Sequence, residues 1–282
     1  MHIIFAFLIS ILQLLLGHSP IPDQGEEEYP LSEKLKEISG LELLNDSTLI
    51  AFNDGGNKSE LYLLSLEGDI LRTVNVLDTK NRDWEDIAID DKYVYIGDIG
   101  NNKNDRENLA ILKVKIDDIL EKDAVPAKKI KFNYKEQKVF PPDDASLFYD
   151  AEGMTICNDS IFIFTKDRSQ PFQGLSLVYK LPLEPGKYEV EASHRITIGK
   201  DGWWKDGVTA ADYYNGQFYL LTYNRYIVYD FVDGAFEKSM EHTFNGMTQR
   251  ESIVVLNEEA IFVADEQNPI VGDVRLYKIS LP

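Results

Sequence analysis

Along most of the chain, short apolar runs rich in Val, Ile, Tyr and Phe alternate with polar punctuation by Asn, Asp and Gly. Residues 48–52, 93–97, 160–165, 217–222 and 260–264 are such runs. Each is short, rich in β-branched and aromatic side chains, and bounded by turn formers, so each reads as a strand. The dipeptides Asn45-Asp46, Asp90-Asp91, Asn158-Asp159, Asn215-Gly216 and Asn257-Glu258 stand just before them. Asn, Asp and Gly tolerate the left-handed conformations of tight hairpins, so each run is the second arm of a hairpin. Helical spacing is scarce. Residues 116–121 are the one helical piece, a single turn inside a connection.

The pattern repeats. Five times a short polar motif leads into an apolar strand, a tight turn and a second, very apolar strand. The motifs are Glu37-Ile38-Ser39-Gly40-Leu41, Asp83-Trp84-Glu85-Asp86-Ile87, Asp150-Ala151-Glu152-Gly153-Met154, Asp206-Gly207-Val208-Thr209-Ala210 and Gln249-Arg250-Glu251-Ser252-Ile253. They end at residues 41, 87, 154, 210 and 253, which sets intervals of 46, 67, 56 and 43 residues. Each interval holds two further strand candidates: 60–65 and 70–76, 109–116 and 129–134, 176–181 and 188–198, 226–230 and 236–244. Four strands per repeat at this period define a β-propeller blade. The expected fold is therefore all-β, a propeller of five four-stranded blades, with six as the alternative. The last repeat has only three strands of its own, ending with residues 274–280. An outer strand from residues 31–37 would complete it and close the ring, leaving no open sheet edge there.

The first residues break the pattern. Residues 3–16 are apolar except for Ser10 and Gln13, and residues 17–22 turn polar and Pro-rich. That run is shorter than the roughly 20 residues of a membrane span and matches the core of an export signal. The competing reading is a buried N-terminal helix. The expected organisation is a signal peptide at 1–19, a flexible segment at 20–30 and one propeller domain at 31–282, located in the periplasm or outside the cell. Cys157 is the single cysteine, so no intrachain disulfide can form, and its apolar surroundings read as core.

Charge narrows the partners. The chain has 29 Lys and Arg against 48 Asp and Glu, a formal charge of −19. Nucleic acids and anionic membranes are themselves polyanions and are excluded as unassisted partners. A glycan, a peptide or a small anionic ligand remains, for a monomer that does not span a membrane. The four histidines, His2, His18, His194 and His242, and the absence of H-E-x-x-H, G-x-S-x-G, P-loop and G-x-G-x-x-G motifs disfavour a His-based zinc site or a Ser-His-Asp triad.

Three stretches are distinctive: residues 81–88 with 95–102 and Arg106, residues 37–41 with Asn53-Asp54-Gly55-Gly56, and residues 150–154 with Thr165-Lys166. Together they resemble uncharacterised exported bacterial β-propeller proteins of the Bacteroidetes type and, more distantly, the phytase-like and SdiA-regulated propellers. The resemblance covers most of the chain after residue 30 and implies the fold more than an activity. Phytase-like enzymes use calcium and several basic groups against an inositol phosphate. Here the motifs are mostly acidic, with Arg106, Lys166, Arg168, Lys205 and Arg250 the basic groups near them, which departs from that pattern.

In a propeller the first strand of each blade lines a central channel. Ser39, Asp83, Glu85, Asp150, Glu152, Asp206 and Glu251 are therefore expected to gather around one axis. Converging carboxylates repel, and either protonation or a cation relieves them. Calcium suits such a set because it accepts 6–8 oxygen ligands in loose geometry. The loop 98–105 adds Asp98 and Asn101 as candidate ligands, though it lacks the spacing of an EF-hand. The candidate metal ligands are Asp83, Glu85, Asp98, Asn101, Asp150, Glu152 and Glu251. Arg106, Lys166, Arg250 and Trp203 are the candidate ligand-binding groups. The simpler alternatives are a water-filled acidic channel for the carboxylates and a packing corner for Trp203-Trp204. The expected function is an exported binding or scaffold propeller with an acidic, calcium-binding channel. The alternatives are a metal-dependent hydrolase of phosphate or lactone esters and a glycosidase using two of Glu85, Glu152 and Glu251.

Overall fold

The computed structural model describes residues 26–270 and 272–281. The expected export signal lies outside the described residues. The chain forms five small, mainly antiparallel sheets arranged as a five-bladed β-propeller. Blade 1 is Ile38–Asn45, Thr48–Asn53, Glu60–Leu64 and Ile70–Leu77. Blade 2 is Trp84–Ile89, Tyr93–Asp98, Ala110–Lys115 and Lys128–Tyr134. Blade 3 is Asp150–Cys157, Ser160–Lys166, Leu175–Pro182 and Ala192–Thr197. Blade 4 is Ala210–Tyr214, Gln217–Thr222, Arg225–Val232 and Ala235–Thr243. Blade 5 is Arg250–Asn257, Ala260–Asp265 and Arg275–Ser280, completed by Glu26–Pro30.

The ring is closed by the N-terminal strand, whose Glu28 pairs with Tyr277. It lies earlier than residues 31–37, the span expected for it. Residues 33–35 instead form a 3-10 turn capped by Ser32, which drives Leu31 and Leu35 into the core between blades 5 and 1. The helix expected at 116–121 is present as Ile116–Glu121.

Two strands serve blades other than their own. After the helix, Ala124–Pro126 pairs in parallel with Ile70–Leu77 at the edge of blade 1 and buries Val125. Residues 188–198 read as one strand. The structure splits them into Ala192–Thr197 of blade 3 and Gly186–Val190, which pairs in parallel with Lys128–Tyr134 of blade 2. Each of these strands covers an otherwise open sheet edge and laces one blade to the one before it.

Packing explains the sequence pattern. Five hydrophobic clusters are present, one at each blade–blade interface. Inner strands are buried on both faces and read as unbroken apolar runs, as in Ser160–Lys166. Outer strands keep one wet face and alternate, as in Ala235–Thr243. Trp84 is fully buried between blades 1 and 2, edge-on to Phe52 at 5.3 Å. Cys157 is buried in the cluster between blades 3 and 4.

The innermost strands of adjacent blades pack side by side around the axis. Their backbones are joined there by side chains. Ser252 of blade 5 donates to Ser39 O of blade 1, and the Ser39 hydroxyl donates to Glu85 O of blade 2 at 2.5 Å. Asp86 of blade 2 accepts from Met154 N of blade 3 at 2.7 Å and Ala211 N of blade 4 at 3.0 Å. Asp212 of blade 4 accepts from Val255 N of blade 5 at 2.7 Å. No described helix is long and apolar enough to cross a membrane.

Candidate cation site at the channel mouth

A β-bulge recurs near the start of four innermost strands, at Ser39, Glu85-Asp86, Glu152 and Glu251. A bulge sets one extra residue against the partner strand and re-aims its side chain. The repeated motif read from the sequence is thus a repeated backbone device. In three blades the bulge carries a glutamate. Blade 4 lacks the bulge, and Thr209 N continues the ladder to Leu221 O at 2.9 Å.

Asp54, Asp83 and Glu85 each bring one carboxylate oxygen to within 4.8 Å of the other two. Asp54 follows the second strand of blade 1, Asp83 ends the loop between blades, and Glu85 sits on the bulge. Asn81 fixes this geometry. Its amide donates to Asn53 O at 2.7 Å and Asp54 O at 2.9 Å, while its carbonyl accepts from Trp84 N at 3.1 Å. Glycines make room: a Cβ on Gly55 would meet Asp83 Oδ1 at 2.6 Å, and one on Gly100 would collide with Glu85 Oε1. Ile99 N and Gly100 N both donate to Asp83 O, at 3.1 and 3.2 Å.

Three cations stand near the mouth, each held chiefly by an acid outside the trio. Arg106 donates to Asp98 Oδ1 at 2.7 Å and to Gly100 O, and lies 3.8 Å from Asp83 Oδ2. Arg168 bonds Asp150 at 2.7 Å and Glu152 at 2.9 Å. Lys166, only 2% exposed, lies 3.2 Å from Glu152 and donates to the Tyr223 hydroxyl at 3.3 Å. That hydroxyl donates to Glu251 at 3.0 Å. Glu85, 4% exposed, accepts no side-chain hydrogen bond from the described residues.

Burial and crowding raise these carboxyl groups. Burial pushes Asp54 up to about 7, with Asp83, Glu251 and Glu37 adding to it against the Gly55 N–H. Burial raises Asp83 to about 6 against the pull of Arg106. It raises Glu85 well above the usual carboxylate range, and Glu152 and Asp54 raise it further. Glu152 and Glu266 rise to about 8, chiefly through burial.

The other sequence-chosen residues have varied places. Asp98 lies between Arg106 and Arg82, 3.7 Å from the latter. Asn101 braces its loop, donating to Tyr149 O at 3.0 Å and accepting from Arg106 N at 2.9 Å, while its N–H bonds Asp150. Arg250 is buried, stacks 4.0 Å over Phe244 and donates to Tyr223 O. Trp203, 43% exposed, has the Arg168 guanidinium 5.5 Å from its ring and Trp204 edge-on beside it. Asp206 was expected at the axis. It is instead held by Arg225 at 2.6 Å and accepts from Asp201 N. Asp54 and Asn81 were not singled out as site residues, although both lie in the stretches already recognised as distinctive.

The fold and the bulged acidic mouth define the class: a five-bladed β-propeller with carboxylates gathered at one end of its axis. The chain is similar in structure to the glutaminyl cyclase of Myxococcus xanthus, with a TM-score of 0.57 and 11% identity over 92% of this chain and 97% of that one. Weaker likenesses are the PQQ-bound aldose sugar dehydrogenase of Streptomyces coelicolor (TM-score 0.47, 9% identity, 93% and 100% covered) and virginiamycin B lyase of Staphylococcus aureus (0.42, 14%, 91% and 70%). At such identity the first likeness shows a common fold alone, and the other two carry no argument. No family model and no curated protein matches the chain. The resemblance to Bacteroidetes-type and phytase-like propellers thus gains support only at the level of the propeller fold.

Proposed function

We propose that this propeller binds a hard divalent cation, calcium in the first instance, at its channel mouth through Asp54, Asp83 and Glu85. We propose further that it uses that face to hold a glycan, peptide or small anionic ligand. The observation that carries the reading is Glu85: a buried carboxylate beside two others, with no hydrogen-bond donor from the described residues. Of the three carboxylates only Asp83 has a cationic partner among the described residues, Arg106 at 3.8 Å, so a bound cation supplies the remaining counter-charge, and calcium tolerates the loose oxygen set that loops of two blades provide. Binding is favoured over ester hydrolysis because Arg106, Lys166 and Arg168 are engaged by Asp98, Glu152 and Asp150. A phosphate ester needs cations that are not already committed. Residues 1–19 act in this reading as an export signal, which would place the protein where calcium is abundant.

The test is thermal unfolding after EDTA treatment, with calcium or magnesium restored. Calcium at about 100 times its Kd adds about 2.7 kcal/mol of stability. At this chain length that raises Tm by roughly 5–10 °C. An unchanged Tm at millimolar calcium would sink the proposal, as would an equal rise in Asp54→Asn/Glu85→Gln.

A further inference from the structure

A cavity of about 380 Å³ opens on blade 2, lined by its own strands and by the loop that enters it. Cross-strand partners share a face of a sheet, and residues two apart along a strand do too. Lys129 pairs with Leu112, while Lys131 pairs with Ala110 on one side and Lys187 on the other. Leu112 packs into the core shared with blade 1, so this whole row faces that blade. Ala110 is the small residue of the row and leaves space above it. Arg82, on the loop entering blade 2, also lines the cavity.

The lining has four cations, Arg82, Lys129, Lys131 and Lys187, against two acids, Asp98 and Glu107. Asp98 is bonded by Arg106 and lies 3.7 Å from Arg82. Lys129 reaches only Asp78 O, at 3.4 Å. Lys131 and Lys187 have no hydrogen-bond or ion-pair partner among the described residues, yet they stand opposite each other on neighbouring strands. Strands are about 4.8 Å apart, and like charges so placed repel. Lysines often guard sheet edges, and Lys187 stands on the edge strand Gly186–Val190, but Lys131 lies one strand further in, where no edge needs guarding. Two facing lysines without an ion-pair partner among the described residues, in a chain of net charge −19, run against the composition. The volume falls within the roughly 300–1,000 Å³ of small-molecule sites.

We propose that this cavity binds a small polyanion carrying phosphate or sulfate groups, held by Lys131, Lys187, Lys129 and Arg82. The site needs no metal. The experiment is calorimetric titration of the full chain in EDTA with inorganic pyrophosphate and, in parallel, with sulfate. Saturable pyrophosphate binding is expected, with affinity at least ~tenfold lower in Lys131→Ala/Lys187→Ala, since charge-assisted contacts are the strong ones. Both lysines are exposed, so the variant keeps its fold, which circular dichroism verifies. Pyrophosphate binding alone assigns a phosphate ligand, and comparable binding of both probes assigns general oxyanion recognition. Absence of saturable heat, or equal affinity in the double variant, overturns the proposal. Binding seen only with calcium also overturns it, because that places the anion at the channel cation.

Discussion

The channel has two acidic zones, buried by opposite means. At the neck, Asp86 accepts backbone N–H groups from Ile87, Met154 and Ala211, and Asp212 accepts from Tyr213 and Val255. Glu42 beside them accepts from Leu43. At the mouth, Asp54 accepts only from Gly55, and Glu85 accepts from no described side chain or backbone group. Burial raises the carboxyl groups of both zones. The neck sets two or three amide donors against that cost at Asp86 and Asp212, whereas the mouth sets one at Asp54 and none at Glu85. A buried acid surrounded by N–H groups is part of the frame, because it satisfies the inner strands of several blades at once. A buried acid without donors adds nothing to the frame and is ready for a cation.

The largest effect expected from this contrast is at the neck. Asp86→Ala leaves three buried N–H groups without an acceptor, each worth about 1–3 kcal/mol. The expected loss is about 3 kcal/mol or more, read from the urea midpoint, with Asp86→Asn losing less because it keeps one acceptor oxygen. A loss below about 1 kcal/mol for the alanine variant would erase the distinction between neck and mouth.

The contrast between the zones was partly legible in the sequence. The bulge glutamates Glu85, Glu152 and Glu251 stood out because they recur at the same point of a repeat, and repetition is a local signal. Asp54 and Asn81 lie in distinctive stretches, but their meeting depends on two loops closing over Gly55 and Gly100, which is a tertiary fact. Side-chain direction was equally hidden. Asp206 shares the motif position of the axial acids, yet Arg225 holds it. The closing strand was misplaced for a physical reason. Glu26–Pro30 is an outermost strand with little burial and no apolar signal, whereas Leu31 and Leu35 are apolar because a 3-10 turn buries them. Gly186–Val190 was missed because its partner lies in the preceding blade.

A smaller effect, and a sharper one, is the pH dependence without divalent ions. Asp54 at about 7, Glu152 at about 8 and Glu266 at about 8 all lie above their unfolded values near 4. Between those limits the folded state holds more protons than the unfolded one, so stability falls as pH rises. In EDTA the urea midpoint should therefore be higher at pH 5 than at pH 8. Calcium should flatten the slope, since it favours the ionised carboxylates that high pH produces. A midpoint that climbs from pH 5 to pH 8 in EDTA would mean that the mouth is already neutralised by its own cations, and the contrast with the neck would collapse.

The smallest expected shift has an opposite sign in the two zones. Glu85→Gln keeps the shape of the side chain and removes a carboxyl group whose ionisation burial opposes in the folded chain and water favours in the unfolded one. At pH 8 in EDTA it should raise stability by about 1 kcal/mol, the scale of a one-unit pKa shift, which is a Tm gain of roughly 2–4 °C at this size. Asp86→Asn, the matching change at the neck, should lower Tm under the same conditions, because its new amide hydrogens face N–H donors. Calcium reverses the first result and leaves the second alone: wild type gains stability from the ion and Glu85→Gln does not. If both substitutions shift Tm in the same direction in EDTA, the two zones are one acidic channel, and the difference in their hydrogen bonding has no energetic consequence.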